Sequence, residues 1–200
     1  STHVLIDIPV GPTAKVRSPA LAERLGQLLA STGEALGLHV QIILSDGAQP
    51  VGCGVGPALE ARDVLAVLQG KGGAPQDLRQ RSLTVAAALL ELGGVCGHGE
   101  GAALAAQTLD SGHAWRKFVA ICEAQGGLKT PPVATHQYSI LAPRAGIVAL
   151  FNNRVISRLR ALFRGLVPGA IEVETVPRVG YRLLIASGRG VSPAPLAEPL

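Results

Sequence analysis

One aspartate, Asp46, stands where a catalytic acid could act, because it lies at the end of the apolar run 39–44. A short, β-branched run of this kind predicts a buried strand. A carboxyl group at the end of such a strand can be partly desolvated and can donate a proton to a leaving group near neutral pH. The alternative is a simple turn at Asp46 and Gly47, in which the carboxylate accepts a hydrogen bond from its own backbone.

Two loops rich in glycine and proline are the natural places for a binding site. The loop 9–18 follows the apolar run 3–10, and the loop 45–56 continues from Asp46 to Pro57. Ligands of an open parallel sheet bind outside the carboxyl ends of its strands. Both loops also lead into predicted helices, whose N-terminal N–H groups attract anions. We therefore expect one ligand site between the two loops.

Other residues near these loops have two interpretations each. Lys15 could contact a phosphate from the first loop, although a solvated lysine is equally compatible with the sequence. Glu60 could hold a cation together with backbone carbonyls, or it could be a carboxylate favourably placed in the first turn of a helix. The glycine run 52–56 permits close backbone approach or simple turns. Its position after the second strand argues against a dinucleotide site.

Two strands separated by a helix must position these loops. The strands are predicted at 3–10 and 39–44. Between them Ser18 offers an N-cap, Pro19 suits the first helical position, and Gly37 is a natural stop. This order predicts a right-handed parallel βαβ unit and an α/β fold. Apolar spacing predicts four further helices, one beginning at Pro57 and the others over about 76–92, 100–111 and 113–124.

The chain changes character after the segment 126–132, which predicts a linker. We expect an α/β part over residues 1–128 and a small α+β domain over 129–200. In the second part, strands are predicted at 137–142, 146–150 and 170–175, with a short helix at 153–163. The segment 176–200 is dominated by Gly, Pro, Arg and Ala, and we expect it to be poorly ordered.

Composition excludes several classes of protein. Of 200 residues, 48% are hydrophobic and 16% are charged, which excludes a disordered chain. No apolar run reaches the roughly 18 residues of a membrane span. The basic excess lies in residues 131–200, but six aromatic residues are too few for a nucleic-acid stacking surface. Three widely spaced cysteines fit a reducing cytosol, so we expect a cytoplasmic protein.

Five segments occur in an order that resembles the thymidine phosphorylase / pyrimidine nucleoside phosphorylase family. They are 4–15, 44–52, 55–62, 123–127 and 138–146. The likeness extends over about residues 2–165. The run Ile-Pro-Val-Gly-Pro at 8–12 resembles the longer branch of the family, which includes AMP phosphorylase. Ordinary thymidine phosphorylases have a lysine where Pro9 stands.

The resemblance implies phosphorolysis of a nucleoside or nucleotide, in which phosphate attacks the anomeric carbon and the base leaves. It implies a phosphate-binding α/β domain, inorganic phosphate as co-substrate, no organic cofactor and a homodimer of the full-length enzyme. It also implies roles for particular residues. Asp46 would be the proton donor to the base, and Glu60 would help to hold a monovalent cation. Substrate contacts would come from Lys15, Gly47, Gln49, Gly52 and Gly54.

The departures from the family pattern also generate expectations. The family's Gly-Gly-Thr-x-Asp signature and Gly-Ser-rich phosphate loop do not occur, so we expect a C-terminal fragment that is inactive alone. The chain contains no methionine, which agrees with a fragment. After about Phe163 the likeness ends, and the segment 176–200 has the composition of a frame-shifted reading. Thymidine, uridine and AMP remain alternative substrates. The alternative function is a non-catalytic nucleotide- or anion-binding module.

Overall fold

A computed structural model describes residues 1–134, 136–141, 151–152, 155–156, 158, 171–176 and 180–185. Over these residues the fold is mixed α/β, with a parallel sheet, an antiparallel sheet and five helices. The strands are β1 (His3–Val10), β2 (His39–Asp46), β3 (Gly54–Val55), β4 (His136–Leu141), β5 (Ile171–Val176) and β6 (Gly180–Ile185). The helices are α1 (Pro19–Ala35), α2 (Pro57–Leu68), α3 (Gln76–Leu92), α4 (Gly101–Asp110) and α5 (His113–Ala124).

The first three elements form the strand–helix–strand unit that the sequence predicts. β1 and β2 pair in parallel, from His3 opposite His39 to Val10 opposite Asp46. β2 is two residues longer than expected, so Asp46 is its last residue rather than part of the loop. Ser18 caps α1 as predicted, because its Oγ accepts a hydrogen bond of 3.3 Å from the N–H of Leu21.

Two glycines let α1 approach the parallel sheet closely. A Cβ atom on Gly33 would lie 2.1 Å from Cγ2 of Val40, and one on Gly26 would lie 3.1 Å from Cγ2 of Ile42. Both glycines are buried in the helix. Glycine in the interior of a helix lowers the stability of that helix relative to alanine. The close contact between helix and strand, which a larger residue would prevent, offsets this loss of stability.

The remaining helices confirm the predicted spans to within a residue. α3 packs against α4, α2 and β1, and α4 packs against α5. The buried apolar side chains among the described residues are few and mostly small: Ile8, Ala22, Leu59, Val67, Ala74, Ala105 and Ile156. Neither α3 nor α5 contains a buried residue. Of the helices in the described ranges, none has both the length and the apolar character required to cross a membrane.

The turn between α3 and α4 is held by a carboxylate. Oε1 of Glu91 accepts a hydrogen bond of 3.0 Å from the N–H of Gly101, and Oε2 lies 3.1 Å from Nδ1 of His98. These bonds, first of all the one from Gly101, hold the pKa of Glu91 below its ordinary value, because they favour the charged form. Gly101 must be glycine here, since a Cβ would lie 2.4 Å from the carbonyl oxygen of Ala87.

The lowered pKa of Glu91 predicts a loss of stability in acid. A group whose pKa is lower in the folded state stabilises the fold above its unfolded pKa, and this contribution disappears as the pH falls through the folded value. Glu91→Gln should therefore be less stable than the parent at pH 7, and the difference should shrink below about pH 4.3. Thermal unfolding of both proteins from pH 7 to pH 3 measures this. A difference in Tm that is constant across the series would contradict it.

The antiparallel sheet has the strand order β3-β5-β6-β4. β3 comes from the glycine-rich loop, with Gly54 opposite Glu174 and Val55 opposite Val173. The interpretation of 45–56 as a loop throughout is therefore wrong at residues 54–55. The pairing also crosses the predicted boundary between 1–128 and 129–200.

The elements predicted for residues 129–200 agree with the structure in part. β4 and β5 agree with the strands predicted at 137–142 and 170–175. β6 lies within the segment 176–200, where no regular element is predicted, and pairs with both β4 and β5. The strand predicted at 146–150 lies outside the described residues. So does most of the helix predicted at 153–163, of which the described residues are helical.

Candidate functional site

The two loops that the sequence selects lie against each other at the carboxyl ends of β1 and β2. The N–H of Gly47 donates a hydrogen bond of 2.8 Å to the carbonyl oxygen of Val10. A Cβ on Gly11 would lie 2.5 Å from both the carbonyl carbon of Gly47 and the backbone nitrogen of Ala48. Backbone therefore contacts backbone across the two loops, and glycine is required for it.

Asp46 ends β2 at this contact, and its side chain closes a turn. Oδ1 accepts a hydrogen bond of 2.8 Å from the N–H of Ala48, two residues on, as in an Asx turn. The guanidinium of Arg81 on α3 donates to the carbonyl oxygen of Asp46. Oδ2 has no donor among the described residues. The turn thus fixes the carboxylate and leaves one oxygen available for a proton.

The exposure of Asp46 differs from the expectation of a partly desolvated carboxyl group. The residue is exposed within this chain, and the hydrogen bond from Arg81 on α3 goes to its backbone carbonyl. The turn alternative is therefore present in the structure. It does not conflict with a role in proton transfer, since the turn uses one carboxylate oxygen and leaves the other.

Gln49 and Lys15, both predicted to contact substrate, differ in their surroundings. Oε1 of Gln49 accepts a hydrogen bond of 2.9 Å from the N–H of Phe151, a residue 102 positions further along the chain. Gln49 therefore ties the second loop to a distant segment. Lys15 is exposed on the first loop, and no carboxylate of the described residues forms an ion pair with it.

Two carboxylates that were not predicted from the sequence accept hydrogen bonds from backbone amides of the glycine-rich run 52–56. Oδ2 of Asp63 accepts hydrogen bonds of 2.7 Å and 2.8 Å from the N–H groups of Cys53 and Gly54. Oδ2 of Asp77 accepts one of 2.9 Å from the N–H of Gly52. These N–H groups therefore face protein carboxylates instead of an anionic ligand. The local signal in the sequence concerns Asp77, which lies in the first turn of α3, where an acidic residue is favoured.

Glu60 closes the N-terminus of α2. Its Oε1 accepts a hydrogen bond of 2.9 Å from the N–H of Gly56, the residue that precedes the helix. This hydrogen bond corresponds to the interpretation of Glu60 as a carboxylate placed in the first turn of a helix. It uses one of the two carboxylate oxygens of Glu60. Within the described parts of the chain, His, Cys, Asp and Glu residues form no cluster of three or more that could hold a metal ion. The three cysteines, Cys53, Cys96 and Cys122, form no disulfide bond.

Asp63→Ala should destabilise the protein by about 2–4 kcal/mol, because it leaves two part-buried amides without their charged acceptor. Asp63→Asn keeps an acceptor oxygen but loses the charge, so its cost should be about half as large. Urea unfolding of the three proteins measures these differences. Glu23→Gln, at an exposed position on α1, is the control and should change stability by less than about 0.5 kcal/mol. Equal stability of Asp63→Ala and the control would contradict the assignment.

With a carboxylate and two glycine-containing loops at the carboxyl ends of its parallel strands, this is an α/β protein whose candidate ligand site lies at that edge of the sheet. No protein-family model matches the chain. Two curated relatives are named "Putative thymidine phosphorylase" and "Putative thymidine phosphorylase 1". The first, from Hahella chejuensis, is 58% identical over 162 residues, which are 81% of this chain and 32% of the relative. The second, from Acidovorax sp., is 55% identical over 180 residues, which are 90% of this chain and 35% of the relative.

A further relative from Acidovorax sp., named "Putative thymidine phosphorylase 2", is 50% identical over 92% of this chain and 36% of its own length. Over the matched residues the chain is similar to these relatives, and the resemblance to the thymidine phosphorylase family found in the sequence is confirmed. The chain spans about a third of the length of the curated relatives that it matches.

Proposed function

We propose that this chain takes part in phosphorolysis of a nucleoside or nucleotide, as one portion of a thymidine phosphorylase-like pentosyltransferase. The observation that carries the proposal is the 50–58% identity to relatives with that name. In the reaction a phosphate oxygen forms a bond to the anomeric carbon while the bond from that carbon to the base nitrogen breaks. The base leaves with the electron pair and takes up a proton.

In this proposal Asp46 supplies that proton. Its Asx turn holds the carboxyl group in one orientation at the edge of the parallel sheet, and Oδ2 can carry the proton. Protonation near neutral pH requires that the carboxyl group be shielded from water when substrate is bound. Asp46 is exposed in this chain. We assign the shielding to substrate and to the portion of the relatives' length that the chain does not span.

The other proposed roles are assigned to side-chain atoms that the hydrogen bonds described above leave available for a ligand, and to the glycines of the second loop. Nε2 of Gln49 can donate to the base or sugar, since Oε1 is bonded to the backbone of Phe151. Lys15 can contact the phosphate co-substrate. Gly47, Gly52 and Gly54 would shape the second loop for close approach of the substrate, with the amides of Gly52 and Gly54 held by Asp77 and Asp63. Glu60 would use its second carboxylate oxygen for a monovalent cation. No organic cofactor enters this scheme.

A chimera tests the proposed function. The 162 matching residues of the Hahella chejuensis protein are replaced by those of this chain, and thymidine, uridine and AMP are each offered with phosphate. We expect release of free base from one of them, at a rate within about tenfold of the unmodified relative, and none from the isolated 200-residue chain. The AMP alternative rests on the run at 8–12.

The outcomes separate the two functions that the sequence leaves open. A folded chimera that releases no base while the unmodified relative does would overturn the proposal. If that chimera still bound a nucleotide, the non-catalytic binding module would take its place. Turnover by the isolated chain would contradict the expectation that the segment is inactive alone.

A further inference from the structure

A cavity of about 430 Å³ lies on the far side of α3 from Asp46. It is bounded by the end of α2, the start of α3 and the junction of α4 with α5. Arg79 lines it, whereas Arg81, two residues on, contacts the backbone of Asp46. Side chains two residues apart on an α-helix are separated by about 200° around the helix axis, so they lie on nearly opposite faces. The cavity is therefore separate from the candidate site between the loops.

One wall of the cavity is aromatic. Trp115 lines it and stacks on Phe118, with ring centroids 6.1 Å apart and an angle of 25° between the planes. Val67, Ala74 and Leu109 add apolar surface. Trp115 therefore brings an aromatic ring, stacked on Phe118, to the lining of the cavity.

The polar groups of the cavity have an excess of positive charge. Nη2 of Arg79 donates hydrogen bonds of 2.7 Å and 2.9 Å to the two carboxylate oxygens of Asp110, the one acidic residue of the lining. Lys71 also lines the cavity and has no carboxylate partner among the described residues. The charge of Arg79 is therefore neutralised by Asp110, whereas the charge of Lys71 is not neutralised by a carboxylate of the described residues.

A helix end adds to this charge. α5 begins beside the cavity, since Gly112, which precedes it, belongs to the lining. The helix has no side-chain cap and no acidic residue in its first turn. Its unpaired N–H groups carry the positive end of the helix dipole. Lys71 and this helix end lie at the same cavity as the indole of Trp115.

We propose that this cavity is a second binding site, for a small anion attached to a flat ring, of the size of a nucleoside monophosphate. The ring would stack on Trp115, and the anion would contact Lys71 and the first turn of α5. The volume lies in the range of small-molecule sites. The proposal does not depend on the phosphorolysis reaction, because no residue of the cavity has a role in it.

The single tryptophan of the chain makes a direct test possible. In ¹⁵N-labelled protein its indole N–H gives one resonance, which is followed during titration with AMP, adenosine and inorganic phosphate. We expect AMP to shift the resonance saturably, and adenosine and phosphate to bind at least about tenfold more weakly, since each lacks one half of the recognition.

Two lysine variants give a matched comparison. Lys71→Gln should weaken AMP binding about tenfold, whereas Lys117→Gln, at an exposed position of α5 outside the lining, should leave it unchanged. Both variants keep exposed positions polar, and a dispersed indole resonance confirms that they are folded. An indole resonance unmoved by millimolar AMP, or equal AMP affinity of Lys71→Gln and parent, overturns the proposal. Equal affinity for adenosine and AMP does so as well.

Discussion

Asp46→Asn in the chimera should lower kcat for phosphorolysis by about 10²- to 10⁴-fold, the usual contribution of a general acid. Asparagine keeps a carbonyl oxygen where Oδ1 accepts the hydrogen bond from Ala48, so the turn is preserved. It removes the proton that the leaving base requires. The change therefore tests proton donation without disturbing the loop.

The comparison of KM with kcat separates this role from a structural one. Steady-state rates with the preferred nucleoside and with phosphate should show KM values within about threefold of the parent, because Asp46→Asn removes an interaction needed in the transition state. Glu34→Gln, at an exposed position of α1, serves as the control and should keep the parent rate. If Asp46→Asn keeps kcat within about twofold, Asp46 is only a turn residue and another group supplies the proton.

Gly11→Ala should destabilise the isolated chain by about 2–3 kcal/mol. The added Cβ would lie 2.5 Å from the backbone of Gly47 and Ala48 and 2.7 Å from the carbonyl oxygen of Gly47. Each of these neighbours is backbone and cannot rotate away as a side chain would. The two loops must separate, which weakens the hydrogen bond between Gly47 and Val10.

Gly72→Ala is the matched control, since a Cβ there has no heavy atom within 4 Å. This change should be neutral or stabilise by up to about 1 kcal/mol, because alanine restricts the unfolded chain. Urea unfolding of both variants and the parent measures the difference. Equal unfolding midpoints for Gly11→Ala and Gly72→Ala would show that the contact between the loops is not tight. In the chimera, Gly11→Ala should also lower phosphorolysis, because Asp46 lies at the end of the displaced loop.

The order of the elements and several of their ends could be predicted from the sequence. Ser18, Pro19 and Gly37 mark the ends of α1 through capping, a fixed φ angle and a positive φ, which are properties of neighbouring residues. Apolar spacing was sufficient for α3 and α5 for the same local reason. The pairing of parallel strands placed the loops 9–18 and 45–56 at one edge of the sheet, and the ordered motifs gave the resemblance to the thymidine phosphorylase family.

Only the tertiary structure decided which distant residues bond to the second loop. Asp77 reaches Gly52 across 25 positions, and Gln49 reaches Phe151 across 102. Such partners depend on how whole elements pack, which no local pattern encodes. The strand β3 inside the glycine-rich loop exists because β5 pairs with it, and β6 because it pairs with β4 and β5. The burial of a side chain is likewise decided by the tertiary structure. The end of a predicted strand indicates where Asp46 lies, but the exposure of Asp46 depends on which parts of the protein cover that edge of the sheet.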